Sequence, residues 1–191
     1  MNNSKDELKK SLDDRAKNLY QRIIQSNLAT PERVKGCSET EITQIEQAYN
    51  ELSLPYSYKV FLRHFGRGVG HLATDLEFVY PNVLSLTQYE RDVNKGAQEM
   101  AREEGTVFTE ELLPPNAFIF AMKYRMQSWY FLSEKGVEDP PIFYDLGEGD
   151  AARKVHESIF DFWETEVEYA EKLIAQSRER EKQRQKKKKN S

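Results

Sequence analysis

The sequence predicts an α+β fold, an antiparallel sheet with helices packed around it, and three observations carry that expectation. Helical patterns occupy the first half of the chain and its end. Short aromatic-rich runs lie between them, with no regular βαβ alternation. Ten Tyr and ten Phe in 191 residues supply enough bulk for a core without disulfides or metals.

Leu8, Leu12, Leu19, Tyr20, Ile23 and Ile24 recur at helical spacing from Lys5 to Asn27, with charges on the other faces. Such an amphipathic helix needs a surface to pack on, so residues 1–29 are expected to lie against the domain that follows. Thr30-Pro31 breaks the pattern. Ser38-Glu39-Thr40-Glu41 has the form of a capping box, in which the Ser hydroxyl accepts from the N–H three residues on and Glu41 reaches back. Ile42, Ile45, Tyr49 and Leu52 continue that helix on one face until Leu54-Pro55 stops it. Pro55 suits the first turn of another short helix, with Tyr58, Phe61, Leu62 and Phe65 facing inward and Gly66 closing it.

Leu76 to Tyr80 reads as a strand ended by Pro81-Asn82. Leu86, Tyr89, Val93, Ala97, Met100 and Ala101 give the next helix its apolar stripe, and Gly105 terminates it. Asn116–Met122, Gln127–Leu132 and Ile142–Asp145 are expected to form a meander of antiparallel strands. A last helix carries Ile159, Trp163, Val167, Ala170 and Ile174 inward and Glu164, Glu166, Glu168 and Glu171 outward. Residues 30–175 are thus one domain, and 176–191 a basic disordered tail, since no apolar residue follows Ala175.

Charge divides along the same boundary. Gln176 to Ser191 holds eight Lys or Arg against two Glu, a local +6 within a net −4, which leaves −10 on the body. An acidic body favours basic partners, because long-range fields steer encounter. The tail, Lys186, Lys187, Lys188 and Lys189 above all, has the composition for contacts with nucleic acid or anionic lipid, without interleaved aromatics for base stacking. Cys37 is the only cysteine, so a reducing compartment is the economical reading. No run is apolar and long enough to cross a bilayer and no leader pattern opens the chain, so a cytoplasmic location is expected.

Motifs that could carry chemistry each have a plainer explanation. His64, His71 and Asp75 match no metal-ligand spacing, and no metal or cofactor is predicted. Gly66-Arg67-Gly68-Val69-Gly70 follows a helix rather than a strand, so its glycines serve a turn with positive φ rather than a phosphate. In Asp145–Asp150, Gly147 and Gly149 stand where a calcium loop needs oxygen ligands, which favours a turn. Cys37 beside a helix start could be an activated thiol, but with no second Cys and no base a small, partly buried residue explains it. Glu46 is expected to accept from backbone N–H groups around Pro55 to Ser57.

Ser38, Ile42 with Glu46, Leu54-Pro55, Tyr58, Phe61-Leu62 and the closing Gly66 together resemble the SUKH superfamily, the Smi1/Knr4-like proteins. Phe143-Tyr144-Asp145 and Ser158-Ile159-Phe160-Asp161-Phe162 extend the resemblance across roughly Thr30 to Ile174. The family's usual Asn-Gly after the second helix is replaced here by Phe65-Gly66-Arg67-Gly68. The resemblance implies a non-catalytic binding module, an immunity protein that neutralises a cognate toxin such as a nuclease or deaminase. The alternative is a regulatory scaffold recruited by its basic tail. Candidate contacts for a basic toxin domain are Arg67 and the acids Asp75, Glu77, Glu138, Asp139, Glu148 and Asp150.

Overall fold

The structure, a computed structural model, describes residues 2–49, 53–107, 113–146 and 152–189, with side chains from residue 4 to residue 186. Helix α1 (Asn2–Gln25) buries Leu12, Ala16, Leu19 and Ile23, one residue per turn of a single stripe, and packs against α3 (Tyr56–Phe65) and α5 (Ile159–Lys189). Between α1 and α3, strand β1 (Val34–Lys35) leads into α2 (Glu39–Ala48). The capping box closes as the sequence requires: Ser38 Oγ accepts from the Glu41 amide at 3.3 Å and Glu41 Oε2 accepts from the Ser38 amide at 2.8 Å. Leu52 lies outside the described residues.

Glu46 accepts from the Leu54 amide at 3.3 Å and pairs with Lys59 at 2.7 Å, so it ties the end of α2 to the start of α3. The carboxylate meets an N–H just before the segment anticipated for it. At the far end of α3 the backbone of residues 36–37 lies directly on the helix. The Cys37 amide donates to Leu62 O at 2.8 Å, and a Cβ on Gly36 would sit 1.7 Å from Arg63 O. Only glycine permits that approach. Strand β2 (Gly68–Val69) then returns beside β1 in a two-residue ladder, too short to leave an alternation in the sequence.

Strand β3 (Leu76–Glu77) is shorter than the pattern Leu76 to Tyr80 suggests. The chain leaves the sheet after Glu77 because Phe78 turns into the core and the Tyr80 amide donates to Gly66 O at 2.8 Å. Helix α4 (Val83–Glu103) buries only Val83, Leu86, Thr87 and Glu90. Its stripe therefore runs past its support, and Val93 and Met100 are exposed. Strands β4 (Ala117–Lys123), β5 (Gln127–Leu132), β6 (Ile142–Asp145) and β7 (Arg153–His156) complete a five-stranded antiparallel meander in the order β3-β4-β5-β6-β7. β7 is Arg-Lys-Val-His, with a single apolar residue and only one partly buried position, so no apolar period announces it. Since β3 covers only Met122 and Lys123 of β4, α4 serves the rest of that edge. Thr87 Oγ1 accepts from the Ile119 amide at 2.9 Å, beside a bulge between Ile119 and Ala121.

The core is aromatic. Phe61 stacks on Trp163 of α5 with centroids 4.7 Å apart, and Tyr58 lies 5.3 Å from both Phe118 and Phe131. Two expectations for α5 change. Glu164, Glu168 and Glu171 do not face solvent freely: Arg15 reaches Asp161 at 2.6 Å and Glu164 at 2.9 Å, and Arg22 reaches Glu171 at 2.7 Å and Glu168 at 3.7 Å. The helix also continues through the segment expected to be a disordered tail, as far as Lys189. Gln, Arg, Glu and Lys without Gly or Pro are good helix formers, so a helix already nucleated on the core extends into solvent.

Candidate partner-binding cleft

A cleft of about 640 Å³ opens between α5 and the β3–β4–β5 part of the sheet. Its sheet wall carries Asp75, Lys123 and Trp129, and its helix wall Glu166, Tyr169 and Leu173. The strand period puts Lys123 at the end of β4 opposite Gln127, while α5 places residues 166, 169, 170 and 173 along one stripe. Trp129 is held rigidly, 4.9 Å from the Tyr144 ring and 5.6 Å from Phe162.

The charges there are unequal in their satisfaction. Lys123 pairs with Asp75 at 2.5 Å, and that bond holds the Asp75 carboxyl below its ordinary range. Glu166 has no hydrogen bond or ion pair among the described residues. Burial pushes its pKa up, and repulsion from Asp75 adds to the shift, against a smaller opposing pull from Lys123.

The rim of the cleft is a tight turn. Met126 N donates to Lys123 O at 3.1 Å, and the two central residues, Tyr124 and Arg125, have φ of 54° and 57°. This is the type I′ pattern that Asn-Gly adopts without strain. Bulky residues in it cost on the order of 1–3 kcal/mol each. Tyr124 at 69% and Met126 at 63% exposure project from the tip, and Tyr169 at 60% stands on the helix wall.

Of the residues expected to meet a partner, the structure brings Asp75 into the cleft and Glu77 beside it, where Arg125 binds Glu77 through two nitrogens at 2.9 and 2.5 Å. Glu138 lies near Lys5 and Lys9, at 3.9 and 3.8 Å. Asp139 accepts from Ser158 Oγ at 2.9 Å at the start of α5, and burial raises its pKa. Arg67 bonds Glu41 and lies 5.8 Å over the Tyr80 ring. Each of these five has an intramolecular partner. Glu148 and Asp150 lie outside the described residues, as do the side chains of Lys187, Lys188 and Lys189, while Lys186 is exposed on α5.

Neither histidine candidate gathers ligands. His64 Nδ1 is 3.0 Å from Val60 O, and His71 Nε2 is 2.8 Å from Arg33 Nη1. No group of three His, Cys, Asp or Glu side chains among the described residues could hold a metal. Burial pushes the Cys37 thiol up to about 11, opposite to what a nucleophile needs. No described helix is long and apolar enough to cross a membrane.

The SMI1/KNR4 family (SUKH-1) matches residues 36–165, from the glycine packed on α3 to the second turn of α5. The chain belongs to this family. At the level of the family, that makes it an immunity-type module whose partner is a protein. No curated protein matches the chain. Helix α1 and most of α5 lie outside the SUKH-1 segment, so the helix wall of the cleft is largely built from residues that follow it.

Sequence reasoning did not single out Glu166, Trp129, Tyr169 or Tyr124. Glu166 sits in a run of four glutamates that one-dimensional spacing assigns to a common outer face, although only Glu164, Glu168 and Glu171 turn toward α1. A usable signal was present at the turn. Two strands joined by only three residues, Tyr124 to Met126, none of them Gly or Asn, mark a strained hairpin tip.

Proposed function

We propose that this SUKH-1 protein is a cytoplasmic immunity protein that binds a cognate toxin domain of basic charge and blocks it without chemistry of its own. Family membership carries the reading. Support comes from the −10 body, which favours a cationic partner, and from a cleft whose rim exposes two aromatics and a methionine beside acids. Exposed Tyr and Met around a concave centre are the residue types that dominate binding energy at interfaces. A nuclease or deaminase domain, basic because it must hold polynucleotide, fits as the toxin.

Co-expression tests the proposal. A candidate toxin domain found in the gene's neighbourhood is expected to arrest growth when expressed alone, and this chain to restore growth and co-purify with it. Continued arrest despite abundant, folded protein removes the immunity reading.

A second reading rests on α5 beyond Ala175, where every described residue is exposed and the helix buries nothing. We propose it as a scaffold arm for polynucleotide or anionic lipid. Deleting Gln176 to Ser191 separates the two readings. Rescue from the toxin persists under the first, and partner recruitment is lost under the second.

A further inference from the structure

Glu166 is the unanswered group of the cleft. A carboxylate taken partly out of water loses hydration, and the loss is made good only by a cation or hydrogen-bond donors. Among the described residues no cation or donor bonds it, and the pull from Lys123 is smaller than the cost of burial. Lys123, which lines the same cleft, is bonded to Asp75, and Arg125 at the neighbouring turn is bonded to Glu77.

The surroundings of Glu166 specify what could answer it. The Trp129 indole forms an aromatic wall fixed by Tyr144 and Phe162, and Tyr169 adds a second, exposed ring. Ala170 and Leu173 continue the helix wall with apolar surface. A guanidinium group meets all of these demands together. Its fork donates to a carboxylate, its plane stacks on an aromatic ring, and its three-carbon stem lies against aliphatic side chains. An ammonium group matches the charge but not the plane. A phosphate or polynucleotide is repelled by Asp75 and Glu166.

We infer that this cleft takes an arginine side chain presented by a basic protein partner, with Glu166 receiving the guanidinium and Tyr124 and Met126 contacting the surface around it. The strained turn argues for a protein rather than a free small molecule. Asn-Gly would relieve the strain at residues 124 and 125; Arg125 is held there by Glu77 and the Tyr89 ring, but position 124 keeps a tyrosine whose ring is exposed. The site rests on the immunity reading only for the identity of the partner. Its chemistry stands on the cleft itself.

The full chain, isotopically labelled, is titrated by NMR with four probes: N-acetyl-arginine methylamide, its neutral citrulline analogue, free L-arginine, and a basic twelve-residue peptide with one central arginine. The arginine amide shifts the Trp129 indole N–H and the amides around Glu166 saturably. The citrulline analogue binds about tenfold or more weakly, and Glu166→Gln weakens the arginine amide by a similar factor. The peptide binds more tightly than L-arginine, and Tyr124→Asn removes that gain while leaving the arginine amide unaffected.

Citrulline binding as tightly as the arginine amide, undiminished affinity in Glu166→Gln, or shifts that fall outside the cleft overturn the site. L-arginine binding as tightly as the peptide overturns the protein occupant. Glu166→Gln and Tyr124→Asn each alter an unpaired or exposed side chain, and an unchanged spectrum elsewhere certifies their folds. Rescue from toxin without guanidinium binding sinks this inference alone. Guanidinium binding without rescue sinks the immunity reading alone.

Discussion

The aromatic centre around Phe61 and Trp163 and the seam between α1 and α5 hold the same helix, α5, by different physics. At the centre, rings of α3, α5 and the sheet interlock without charge, and Phe61, Phe118 and Trp163 are each at most 1% exposed. At the seam, α1 contributes a narrow apolar stripe and two arginines that reach four carboxylates across the gap. The centre lies inside the family segment of residues 36–165, whereas every α1 residue and the carboxylates at 168 and 171 lie outside it. The fold is therefore carried by packing that salt and pH scarcely touch, and its flanking helices are fastened partly by charge, which both conditions weaken.

The comparison breaks first at the centre. Phe61→Ala removes a ring stacked on Trp163 at 4.7 Å and is expected to cost about 3–5 kcal/mol, read as a fall in the denaturation midpoint that added salt does not rescue. Gly36→Ala comes next, because the new Cβ would lie 1.7 Å from Arg63 O and must push the loop off the end of α3. Its cost is about 3 kcal/mol, comparable to overpacking a core. A circular-dichroism melt distinguishes it from a neutral loop change: an unaltered melt would mean the loop yields without loss. Ser38→Ala, which opens the capping box, should cost about 1 kcal/mol.

The seam responds more weakly and in another way. Arg22→Ala removes pairs with Glu168 and Glu171 at a site where all three side chains are about a third or more exposed. Its cost is below about 1 kcal/mol and shrinks as salt rises. Acid acts on the same bonds. The Arg22 hydrogen bond holds Glu171 below its ordinary carboxyl range, so the pair's stabilisation is present above the unfolded value of 4.5 and is lost as pH falls through the lower folded value. Protection from hydrogen exchange in α1 should therefore fall with acid before protection in α3 does, and Arg22→Ala should narrow the difference.

Legibility in the sequence follows the same division. The segments Gln127–Leu132 and Ile142–Asp145, the capping box, and the inward faces of α3 and α5 could be read because each combines a period with a terminator that acts within a few residues. The exposed half of the α4 stripe misleads, since apolar spacing states which face could be buried but not how far the opposing surface extends. β1, β2 and β7 leave too little apolar period to detect. The cleft was harder to see for another reason. Its walls come from residues 75, 123, 129 and 166, brought together only by the meander and the return of α5. The acids expected to face a partner are sequence neighbours of loops, and five of the seven expected contacts meet a partner within their own chain.

Glu166 provides the smallest expected effect on stability and the sharpest on function. Its pKa is raised, chiefly by burial, so the folded chain holds a proton there more tightly than the unfolded chain does. Stability linked to this group is then fully present below the ordinary value of 4.5 and declines as pH rises through the window up to the folded value. That direction is opposite to the one at Glu171. Glu166→Gln, which cannot ionise, should be slightly more stable than the native chain at pH 7 and indistinguishable from it at about pH 4, as measured by urea denaturation at both values. The same variant should bind the arginine probe less well at neutral pH. A gain in stability accompanied by a loss of binding is the signature of a charge kept for a partner rather than for the fold, and a loss of both would instead make Glu166 a structural residue.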